Sequence, residues 1–286
     1  SETAAADLVG GLFGAFWNKV LRPKDQRVLI ETLLNESESE RGVTCALHLV
    51  SMWHRGDAPD FDPTLTESIK GLLAKVADGK GVRLVYEWER LARWWVHREP
   101  DQGARYLVTV VSCTAQRRLD LIEAAGKILT ELAEQRPDAV ASAVSEALGN
   151  KGTQIAFELC SFRGVFERLG VDRLESLIEA GGTDVAVAIA RNLPDPDSEV
   201  GSDVVAWFVR EFVADDRVFG AYLAGRHSFI VFSGYGFQRK PGVYDRTEPY
   251  IESDNPGIRK WAQWERDWID EDARRDQKLV DQEGRD

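Results

Sequence analysis

Apolar residues recur at helical spacing along most of this chain, and that periodicity excludes most architectures before any motif is considered. In QIAFELCSFRGVFERLG, Ile155, Leu159, Phe162, Phe166 and Leu169 fall at i, i+4, i+7, i+11 and i+14, one face of an α-helix. Leu119, Ile122, Ala125, Leu129 and Leu132 repeat the pattern in RRLDLIEAAGKILTELAEQ, and Leu84, Trp88, Leu91 and Trp95 in VRLVYEWERLARWWVHRE. A half-buried strand would need strict alternation, which is hard to find over five or more residues. The short run FIVF (229–232) reads either as a strand or as a buried helical turn.

The breaks between periodic stretches are short and carry helix signals. Pro137 in RPDAV stands where a helix begins without losing a hydrogen bond. GNKGT, EAGGTD and NLPDPDSE follow, and Asp184 opens the apolar VAVAIA stretch. Asn255 can cap the last helix, with Pro256 in its first turn. The pattern predicts about eleven helices joined mostly by two to eight residues, as between antiparallel neighbours. Two breaks are longer, at residues 55–65 and 225–249.

Charge and cysteine usage narrow the function classes. Forty-eight acidic against 36 basic residues give a net charge of -12, which repels phosphate backbones and argues against general nucleic-acid binding. No stretch reaches the roughly 20 apolar residues of a membrane span. The N-terminal SETAAADLVGGLFGAFWNKVL lacks a basic leader and has glycines at 10, 11 and 14, so it does not read as a signal peptide. Cys45, Cys113 and Cys160 are odd in number, far apart and set in apolar stretches. That points to buried thiols in a reducing, cytoplasmic compartment rather than a disulfide framework. Cys45 and His48, with His54 beyond them, supply too few ligands for a metal, and no metal or cofactor is expected.

SDNPGIRKWAQWERDW (253–268) resembles the second helix of a HEAT-type repeat. The acidic-Asn-Pro entry, apolar residue, arginine and later alanine are Asp254, Asn255, Pro256, Ile258, Arg259 and Ala262. TDVAVAIARNL (183–193) is a copy without the proline. The resemblance implies an all-α, HEAT/armadillo-like right-handed α-solenoid of about eleven helices, because short amphipathic helices bury their faces only by stacking. It implies one repeat domain over 1–286, with divergent helices to residue 100, HEAT-like pairs over 101–269 and a charged tail at 270–286. Such regions resemble C-terminal parts of large multidomain bacterial proteins, including nucleotide-driven defence proteins. That implies a scaffold or sensor binding a protein partner or adjoining domain, and it transfers no catalytic residue.

Four sets of side chains are candidates for contact with a ligand or partner. Trp261, Trp264 and Trp268 share a helical face with Ile258; this is a seam against the preceding helix or an aromatic platform. Trp94 is turned about 100° from the Trp88–Trp95 face and lies among Arg90, Arg93, His97 and Arg98. It reads as an exposed interface anchor or as the second packing face of a sandwiched helix. Arg239 and Lys240 in SGYGFQRKPG could cradle an anion, although the Gly-Lys-Ser/Thr ending of a phosphate loop is absent. Phe13 and Trp17 belong to an N-terminal helix whose apolar residues cover more than half its circumference, expected either to be buried within the domain or to dock on another chain or adjoining domain, docking being favoured. Two other readings stay open: a HEAT-like-fold enzyme acting on nucleic acid, such as a DNA glycosylase, which needs a basic concave face; and a compact helical bundle binding a small ligand. GxSxG, HExxH and DxDxG signatures are absent.

Overall fold

The structure is a computed structural model that describes residues 24–25, 28–29, 31–32, 40–53, 63–77, 85–112, 119–148, 162–198, 201–227 and 246–283. Among these residues there are eleven α-helices, one 3₁₀ turn and no strand, so the chain is all-α. FIVF lies outside the described residues. No helix among them is long and apolar enough to cross a membrane.

The chain divides into two compact units, Ser1–Ala156 and Phe157–Asp286. Residue 100 lies within the first unit, where the helices on either side of it are joined almost without a loop. The first unit contains α1 (Glu40–Trp53), α2 (Pro63–Ala77), α3 (Val85–Arg98), α4 (Pro100–Ser112), α5 (Leu119–Gln135) and α6 (Pro137–Leu148). Prolines open three of them, where the missing N–H has no intrahelical partner to lose. α1, α3 and α5 pack in succession, as do α2, α4 and α6, and each helix also packs on the next in sequence.

Helix α3 is the centre of this unit. It buries Trp88, Leu91, Ala92, Trp94, Trp95 and Val96, which cover more than one face. Trp94 is therefore not an exposed anchor; it is only 9% exposed, on a helix with neighbours on several sides. Between α3 and α4 the chain turns on Glu99 alone, whose N–H donates to the Trp95 carbonyl and whose carbonyl accepts from Gly103 N–H. A Cβ at Gly103 would lie 2.8 Å from the Val96 Cα, so glycine lets α4 approach the α3 backbone. Tyr106 then joins three helices. Its hydroxyl accepts from Trp88 Nε1 at 2.8 Å and donates to the Leu73 carbonyl at 2.8 Å.

The second unit contains α7 (Arg163–Leu169), α8 (Val171–Asn192), α9 (Ser202–Phe212), α10 (Asp216–His227), a 3₁₀ turn (Glu248–Tyr250) and α11 (Pro256–Glu283). Gly182, at φ 69° and ψ −158°, breaks α8 into two helical runs. The signal EAGGTD thus marks a sharp bend rather than a loop. α8 packs most extensively on α10, and α11 packs mainly on α9.

The Asn-Pro-Gly entry to α11 works as local physics requires. Asn255 Oδ1 accepts from Gly257 N–H at 3.0 Å and from Ile258 N–H at 3.4 Å, satisfying two free donors of the first turn. Its Nδ2 donates to the Ala206 carbonyl of α9 at 2.7 Å, which docks the cap. Gly257 allows the contact to close, since a Cβ there would lie 2.0 Å from the Val209 carbonyl oxygen. Trp261 is fully buried, with Tyr250 edge-on at 5.7 Å between ring centroids, while Trp264 and Trp268 are half-buried. The expected seam exists at Trp261, where α11 packs on α9 and on the 3₁₀ turn. Past Ile269 the helix continues, with Asp270, Glu271 and Arg274 exposed.

Tyr106→Phe removes the hydroxyl and leaves the Trp88 N–H and the Leu73 carbonyl without it, which should cost about 1–3 kcal/mol in denaturant unfolding. Gly257→Ala drives a methyl into the α9 backbone and should cost a similar amount, about 1–3 kcal/mol, as overpacking. Gly220, where a Cβ meets nothing within 4 Å, is the control: Gly220→Ala should leave the unfolding midpoint equal or higher.

Candidate functional site

Arg90, Arg93 and Arg98, the basic residues around Trp94, lie on α3 and bond to its neighbours or to its own side chains. Arg90 Nη1 donates to the Ser51 carbonyl of α1 at 3.1 Å. Arg93 pairs with Glu89 at 2.7 Å and with Glu131 of α5. Arg98 lies over the Trp94 ring at 5.1 Å from its centroid. His48 of α1 meets Glu87 at 3.1 Å, and Cys45 is a half-buried free thiol. Phe13, Trp17, Arg239, Lys240, Cys113, Cys160 and His54 lie outside the described residues.

The layer α2–α4–α6 is cross-linked in the same manner. Lys70 Nζ meets Glu99 at 2.6 Å and Glu67 at 2.8 Å, above the Trp95 ring. Burial alone would lower the Lys70 pKa, but the hydrogen bonds from Glu67 and Glu99 outweigh it and hold it above the usual lysine value. The same bond from Lys70 holds the Glu99 carboxyl below its usual value, against a smaller effect of burial. Arg105 of α4 meets Glu146 of α6 at 2.9 Å.

Among the described residues of the second unit, charge gathers around Arg246. Arg246 stands between three carboxylates: Asp197 at 3.2 Å, Asp195 at 3.6 Å and Glu265 at 3.6 Å. The guanidinium also lies 5.8 Å from the Trp261 ring centroid. The two aspartates sit on the segment after α8, which Tyr222 of α10 fixes by donating to the Pro194 carbonyl at 2.9 Å. Glu265 projects from α11 and is only 5% exposed. Beside them Arg266 donates to Thr247 Oγ1 at 3.1 Å and pairs with Glu248, tying the 3₁₀ turn to α11.

Three carboxylates face the Arg246 guanidinium. Burial pushes the Asp197 pKa up; the Arg246 charge works against this and the Asp195 charge adds to it, so the carboxyl stays above the usual aspartate value. Among the described residues no group of three His, Cys, Asp or Glu side chains is arranged to hold a metal ion. What the arrangement can do chemically is exchange a proton at Asp197. The sequence signal was Asp-Pro-Asp at 195–197, a pair of carboxylates on a proline-stiffened turn, but their partners are remote in the chain.

No family model, curated protein or solved structure matches this chain.

The Lys70–Glu99 pair makes a pH-dependent contribution with a defined sign. A depressed carboxyl pKa stabilises the fold above the unfolded-state value, and that stability is lost as pH falls through the folded-state value. Glu99→Gln should therefore unfold at lower denaturant than the native chain at neutral pH, and the gap should close in acid, below about pH 4. Urea midpoints measured across that range check it.

Proposed function

We propose that this protein is a HEAT-like helical-repeat scaffold whose role is to bind a protein partner or an adjoining domain. The observation that carries this reading is the packing pattern. In each unit the main neighbours of a helix are the next helix and the next but one, giving in the first unit two parallel rows, α1–α3–α5 and α2–α4–α6. A stack in which each element meets only near neighbours is the architecture of solenoids, which present long surfaces for recognising other proteins. The polar cross-links within each row, Arg90–Ser51 and Arg93–Glu131 on one side and Lys70–Glu99 and Arg105–Glu146 on the other, support the same reading. They join neighbouring elements of the stack, and a repeat stack needs its spacing held.

The recognition face in this reading is the α2–α4–α6 row. Gln102, Arg105 and Thr109 of α4 and Ser142, Ser145 and Glu146 of α6 are exposed there. Short polar side chains around one ion pair leave room for a partner's larger anchors.

Cross-linked capture from cell extract, followed by titration of the purified captured protein, tests this. Thr109→Arg with Ser142→Arg should weaken binding by about tenfold or more, with the melting temperature unchanged. Glu123→Arg and Lys127→Glu, exposed on α5 of the other row, should leave affinity intact. Equal losses from both rows would overturn the assigned face, and the absence of any saturable protein partner would overturn the scaffold.

A further inference from the structure

We draw no further inference here: the strongest candidate, the side-chain cluster of Cys45 and His48 on α1 with Glu87 on α3, rests on one half-buried thiol, and nothing among the described residues beside it points to a ligand.

Discussion

Burial on several sides of one helix is the constraint from which the first unit follows. α3 carries three tryptophans, and Trp88, Trp94 and Trp95 cannot share one stripe of a 3.6-residue helix. A helix of this kind is unstable at a surface and must be sandwiched. α1 and α5 cover it within its own row, while α2 and α4 meet it from the other. The indole N–H of Trp88 brings a second demand, since a buried donor without a partner costs free energy of the order of a lost hydrogen bond. Tyr106 meets that demand and passes it on to the Leu73 carbonyl, which fixes α4 and α2 relative to α3 at once. Packing area holds the unit together, and this single hydroxyl sets its register.

The charged residues have a different task. Lys70–Glu99, Arg105–Glu146 and Arg93–Glu131 lie at or near the surface, and pairs of that kind contribute little to stability individually. Their common property is that each ties a helix to a residue outside it: Arg105–Glu146 joins α4 to α6, Arg93–Glu131 joins α3 to α5, and Lys70–Glu99 joins α2 to the α3–α4 turn. A hydrophobic seam tolerates sliding by a turn, whereas a short ion pair does not, so these contacts discriminate between alternative stackings of similar helices. The Arg246 cluster differs from all of them. There one guanidinium meets three carboxylates from two separate segments of the second unit.

Much of this was legible in the sequence wherever the determinants are local. Helical class, the prolines at helix starts and the Asn255 cap all depend on residues a few positions apart, and each appears where periodicity and capping chemistry put it. The bend at Gly182 was legible for the same reason, although as a break of unspecified form. Trp94 illustrates the limit. A residue turned off one apolar face is either exposed or covered by another helix, and only the neighbours decide. The Arg246 cluster was not legible at all, because residues 195, 197, 246 and 265 are brought together by the α8–α10 and α9–α11 packings rather than by spacing.

The bend in α8 separates two properties that usually travel together. Residues 179–184 are all exposed, and an exposed residue ordinarily accepts most substitutions. Neither glycine of this stretch should do so. At Gly182 there is open space but a backbone of positive φ, which disfavours any side chain at all. At Gly181 the obstacle is the neighbour, because a Cβ would meet the Val185 Cγ2 at 2.1 Å. Solvent accessibility is therefore a poor guide to mutational tolerance here: a surface loop in appearance carries the substitution pattern of a core, for two unrelated reasons in adjacent residues.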